Sequence, residues 1–120
     1  MQLDYLIFDC TEEETGSCSF DAMASVLPGR LAALVHEVEA VLGWACHTFG
    51  APVPDADTGG WDFELQATSE AGGTLPIVFD LERGRLSLPT ASEGRITLTL
   101  TLSGSPAFGE AFRDAFPDAA

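Results

Sequence analysis

The chain contains no lysine. Its only fixed cations are arginines, and Lys plus Arg number 5 against 19 Asp and Glu, a formal charge of -14 over 120 residues. A field of that sign repels phosphate backbones and anionic lipid heads, so nucleic acid and membrane surfaces are excluded as expected partners. No apolar run is long enough to span a bilayer, and no basic stretch precedes an apolar one after Met1, so neither a span nor a secretion signal is expected. Cysteine is scarce: Cys10, Cys18 and Cys46 form an odd set without zinc spacing. That argues against a disulfide framework and for reduced thiols in a cytoplasmic protein. There is no phosphate-cradling glycine loop, no nucleophile elbow, no internal repeat and no linker. No catalytic motif stands out, so an enzyme is the less favoured reading, and no cofactor is expected.

What is present describes a folded protein. Apolar residues make up 46% of the chain, too many for intrinsic disorder despite the charge. The length suits one domain over residues 1–120, large enough to bury roughly two thirds of its unfolded surface. The absence of lysine fits either a GC-rich genome, whose codons favour arginine, alanine and glycine, or a high-salt cytoplasm, and the large apolar complement and three cysteines favour the first.

Periodicity predicts the elements. Met1 to Cys10 is rich in β-formers and reads as a strand. Thr11 to Gly16 is a charged turn carrying Glu12, Glu13 and Glu14. Cys18, Phe20, Ala22, Ala24 and Val26 alternate with polar residues, so a hairpin is expected. Pro28 opens a long helix ending near Gly50, with Leu31, Leu34, Val35, Val38, Leu42, Ala45 and Phe49 on one stripe. Strands are expected from Trp61 to Thr68, from Leu75 to Glu82 and at Ile96 to Ser103, where leucine and threonine alternate strictly, with only a short return segment at Arg85 to Leu88. Ser105-Pro106 caps a short final helix with Phe108, Phe112 and Phe116 on one side. The order is β-β-α-β-β-β-α. Short connections favour antiparallel neighbours, so the expected fold is an α+β two-layer sandwich, a sheet of about five strands with both helices on one face.

Three groups of residues are candidates for function. The first is acidic: the Glu12, Glu13, Glu14 tip and the outer sheet face, which alternation should furnish with Asp62, Glu64, Asp80 and Glu82 beside Thr97, Thr99 and Thr101. Asp21 and Ser19 are expected to join it from the first hairpin. The second is the back of the long helix, where Ala33, His36, Ala40, Trp44 and His47 replace the usual charges. Such a face should be covered by the rest of the chain or by a second copy in a homodimer. His36 and His47 lie about 16 Å apart along the axis, too far to share a metal ion within one chain. The third is Asp55 to Asp62, which starts like a calcium loop. Gly59, Phe63 and Gln66 then stand where ligand oxygens are needed, so an acidic turn and no metal are expected.

The leading functional expectation is a non-enzymatic module whose acidic surface docks a basic protein. In size and charge the chain is similar to small bacterial immunity proteins and secretion chaperones. The alternative is a small-molecule or cation-binding protein, or a small enzyme, using sheet carboxylates such as Asp62 with Asp80 for acid–base work. A structural subunit that self-associates through the helix back is the third reading.

Overall fold

A computed structural model describes residues 3–14, 16–53, 60–70, 72–89 and 94–117. The chain is an α+β protein with a mostly antiparallel sheet, one long helix and a short C-terminal helix. The strands are β1 (Phe8–Glu12), β2 (Cys18–Val26), β3 (Trp61–Ser69), β4 (Thr74–Leu75), β5 (Val78–Asp80), β6 (Arg85–Ser87) and β7 (Ile96–Gly104). The helices are α1 (Leu31–Phe49), entered through a single 3-10 turn at Pro28–Arg30, and α2 (Pro106–Ala115). Five strands form the main sheet in the order β1-β2-β7-β3-β4, while β5 and β6 pair as a separate hairpin.

The strictest alternation in the sequence becomes the central strand. In β7, Ile96, Leu98, Leu100 and Leu102 are fully buried while Thr97, Thr99, Thr101 and Ser103 face outward. Each buried side chain of that kind stabilises the fold by about 2 kcal/mol. Its neighbours match face for face. Leu100 is flanked by Ala22 and Leu65, and Leu102 by Phe20 and Phe63.

Both helices lie on this apolar face. From α1 come Leu34, Val38, Val41, Leu42 and Ala45, all buried. From α2 come Phe108 and Phe112, also buried, with Phe112 4.5 Å from the ring of Phe20 and 5.1 Å from that of Phe8. Ser105 caps α2 by accepting a hydrogen bond from the Phe108 N–H at 3.2 Å, and Pro106 fills the first turn, where no N–H is needed. Trp61 is fully buried, stacks parallel to Phe108 at 5.9 Å and donates its indole N–H to the Gly50 carbonyl at 2.9 Å. Gly50 ends α1 at φ 82°, a conformation that favours glycine.

Two expectations about strands need correction. The strand expected over Met1 to Cys10 begins only at Phe8. The residues before it bend across α1, where the Glu37 carboxylate takes up the N–H groups of Asp4, Tyr5 and Leu6 at 3.0–3.2 Å. The strand expected from Leu75 to Glu82 is broken at Pro76, which has no N–H for a ladder. Its first part pairs with β3, and its second part leaves the sheet as the β5–β6 hairpin.

Candidate functional site

The uncovered face of the main sheet is the candidate site. Register places its side chains in cross-strand rows. One row runs Asp9, Asp21, Thr101, Glu64 across β1, β2, β7 and β3. The next runs Thr11, Ser19, Ser103, Asp62 across the same strands. Neighbouring strands lie about 5 Å apart, so Asp9 and Asp21 are direct neighbours, and Glu64 sits about 10 Å beyond Asp21. The Thr101 hydroxyl donates to Asp21 at 2.8 Å, which fixes that carboxylate on the sheet. Asp62 accepts from the N–H of Phe63 at 2.8 Å.

Among the described residues, no cation pairs with Asp9, Asp21, Asp62 or Glu64. Arg113 is spent on Glu12, at 2.9 Å, and on the sulfur of Cys10, also at 2.9 Å. Those acceptors hold its guanidinium protonated even more firmly than usual. Arg83 lies near Asp80, and Arg95 reaches the Ser25 carbonyl at the far end of the face.

Beside the acids, Ile7 is 72% exposed and Met23 is 69% exposed. With Asp9, Asp21, Ala22 and Thr99 they line an open trough of about 380 Å³. Carboxylates stand at one end of it, an aliphatic and a thioether side chain at the other. Among the described residues, no three His, Cys, Asp or Glu side chains converge as metal ligands would.

The acidic residues expected from sequence do not all meet. Asp62 and Glu64 stand on the open face together with Asp21 and Ser19. Asp80 and Glu82 do not. They belong to the β5–β6 hairpin on the helix side, where Phe79 meets Phe63 and the Leu86 N–H donates to Glu39 at 2.8 Å. Asp80 there organises its own turn, accepting from the N–H groups of Glu82 and Arg83. The sheet thus separates Asp62 from Asp80, so they cannot act as an acid–base pair. Glu12, Glu13 and Glu14 are all exposed at the hairpin end, with Glu12 in the strand and bound to Arg113.

The back of α1 is divided. Trp44 packs its ring against Phe49, Phe108, Phe112 and Phe116 of its own chain at 5.5–6.1 Å. It is therefore covered by α2 and by the end of α1. Ala33, His36 and His47 are exposed and Ala40 is half-buried, a face without a large apolar side chain. The residues of the calcium-like stretch from 55 to 59 lie outside the described residues. All three thiols are free: Cys10 exposed, Cys46 half-buried, Cys18 buried.

Ile7, Asp9 and Met23 escaped the sequence reading. The signal was there in the hairpin: a turn closed by Gly16 at φ 90° sets Glu13 opposite Ser17, and counting back puts Asp9 opposite Asp21. Comparison with known proteins adds no family, since no family model, no curated protein and no solved structure matches the chain. Among the described residues, no helix is long and apolar enough to cross a membrane.

Proposed function

We propose that the protein is a non-enzymatic binding module that docks a positively charged segment of another protein on the open face of its sheet. One observation carries this reading: Asp9 and Asp21 oppose each other directly, with no cation paired to either among the described residues, beside exposed Ile7 and Met23. Two like charges across a ladder cost stability. A lysine or arginine of a partner would relieve that cost, its charged end at the carboxylates and its aliphatic stem over Ile7 and Met23. The uncompensated field would also speed encounter with a basic protein, and the complex would weaken with salt. Nucleic acids are unsuited to such a face. Three free thiols, one of them exposed, fit a reducing, cytoplasmic setting.

The test is affinity capture at low ionic strength with the wild-type chain and with the Asp9→Asn/Asp21→Asn variant, each then eluted with salt. The expected result is a basic protein held by the wild type, released by salt and not held by the variant. Equal capture by both chains, or capture of no basic protein, defeats the proposal.

A further inference from the structure

The main sheet has two edges, and they are built differently. On one side β4, only two residues long and followed at once by Pro76, covers β3 at Ala67 and Thr68, and the Val53 N–H donates to the Trp61 carbonyl at the other end of β3. A short strand with a proline after it is a blunted edge. The other edge is β1, five residues long. Among the described residues no strand pairs with its outer side.

The hydrogen-bonding phase of β1 follows from its turn. The Glu13 N–H donates to the Ser17 carbonyl at 2.9 Å. Antiparallel pairs alternate between bonded and non-bonded, so Thr11 and Asp9 spend their backbone groups on β2. Phe8, Cys10 and Glu12 then direct N–H and C=O outward, away from Ala22, Phe20 and Cys18. Among the described residues these outward groups have no backbone partner. The strand that carries them is held firmly: Phe8 is 4% exposed and its ring meets that of Phe112.

We infer that the outer edge of β1 is a strand-docking site, where an extended, positively charged segment of a partner protein adds as a sixth strand. This rests on the proposed docking of a cationic protein and gives it a backbone mode. Charge selects the occupant. Asp9, Glu12, Glu13 and Glu14 line this edge and its turn, and Arg113 beside them is already bound to Glu12. A second copy of the chain would bring the same excess of carboxylates to the edge, and the two like fields would repel. A basic strand meets the opposite situation. Side chains alternate along it, so one set lands beside Asp9 on the open face, next to the trough. The other set lies on the helix side beside Phe8 and Cys10, where apolar residues suit. The partner segment that fits therefore alternates basic and apolar residues.

Amide hydrogen exchange on the full-length chain tests this at low salt. The probe is a capped hexapeptide, Lys-Val-Lys-Val-Lys-Val, with two controls methylated on one or the other alternate set of backbone nitrogens. The expected result is that the plain peptide slows exchange at Phe8, Cys10 and Glu12 by about tenfold or more, and that one methylated control does not. If the peptide binds, with shifts at Asp21 and Glu64, but leaves exchange at the edge unchanged, the strand-docking inference is overturned while the acidic-face reading stands. If the peptide does not bind at all, both fall. Slowed exchange at the edge that grows with protein concentration in the absence of peptide would make a second copy the occupant, and would overturn the inference as well.

Discussion

The carboxylate of Glu37 accepts a hydrogen bond from the backbone N–H of Tyr5 at 3.0 Å, across 32 residues of chain. The same carboxylate takes the N–H groups of Asp4 and Leu6. Glu37 is 6% exposed, one of two buried polar residues among those described. It closes the account of backbone donors where the chain has left the sheet and crosses α1. Its position also sets the site, because the turn it holds delivers Ile7 and Asp9 to the edge strand.

Replacing Glu37 with alanine leaves those donors without their acceptor, the Leu6 N–H in a buried place and the other two in part-buried ones. The expected cost is about 2–3 kcal/mol of unfolding free energy, the range for losing charged hydrogen bonds. Glu37→Gln keeps one acceptor oxygen and should lose roughly half as much. Urea unfolding gives the magnitudes. Amide exchange at Tyr5 and Leu6 should rise in both variants. Unchanged exchange there would show that the turn does not depend on the carboxylate.

A second prediction concerns close packing of α2 on the sheet. A Cβ placed on Gly109 would collide with the sulfur of Cys18 and meet its Cβ at 3.0 Å. Gly109 sits mid-helix, where alanine is otherwise favoured by about 1 kcal/mol. Overpacking should outweigh that gain, so Gly109→Ala should destabilise by about 1–2 kcal/mol. Removing the sulfur should reverse the sign of the change. In a Cys18→Ala background, Gly109→Ala should be neutral or stabilising, and thermal unfolding of the four chains measures the coupling.

These two contacts show where the sequence was readable. Strict alternation at Ile96 to Gly104 fixes which residues of β7 are buried, because side chains on a strand point to opposite faces. Helical spacing marks Leu34, Val38 and Leu42 just as directly. The placement of Asp80 was not readable, since alternation continues through Leu75, Ile77 and Phe79 and hides the break that Pro76 makes. The helical spacing of Glu37 puts it beside the apolar stripe, where a charge is ordinarily solvated. Only the bend at Asp4 to Leu6, a long-range feature, turns it into a buried acceptor. Asp62 and Glu64 were legible as open-face acids, whereas Asp9 needed the register of the first hairpin, which depends on one residue in the turn.

The thiols yield a third prediction. Burial pushes the Cys18 thiol above its ordinary value of 9.0, with Arg113 partly opposing it, and burial does the same to Cys46. Above pH 9.0 the unfolded chain gives up these protons while the folded chain keeps them. The unfolded state then binds fewer protons, so stability is full below that pH and falls as pH rises through the folded values. Unfolding free energy against pH should decline in this window, and Cys18→Ala/Cys46→Ala should flatten the decline. At neutral pH, iodoacetamide should label exposed Cys10 first and Cys18 only on unfolding, which mass spectrometry of timed samples would follow.

The last prediction sets stability against binding at the open face. Asp9 and Asp21 are exposed and directly opposed, and the Thr101 hydroxyl holds Asp21 in place. Removing one charge should relieve the repulsion. Asp9→Asn should raise unfolding free energy by about 0.2–1 kcal/mol, the range for a cross-strand pair. Asp21→Asn should gain less, because its amide must turn its oxygen to the threonine to keep that bond. Salt should produce the same gain in the wild type, since the screening length falls to about 10 Å at 0.1 M and further above it. Urea unfolding at low and high salt reads both effects, and the salt increment should shrink in Asp9→Asn. The same substitution should weaken binding of the Lys-Val hexapeptide at low salt. A chain that gains stability and loses its ligand by one change carries a strained charge kept for binding. A chain that loses stability on Asp9→Asn holds that carboxylate for its fold, and the acidic row is then structural.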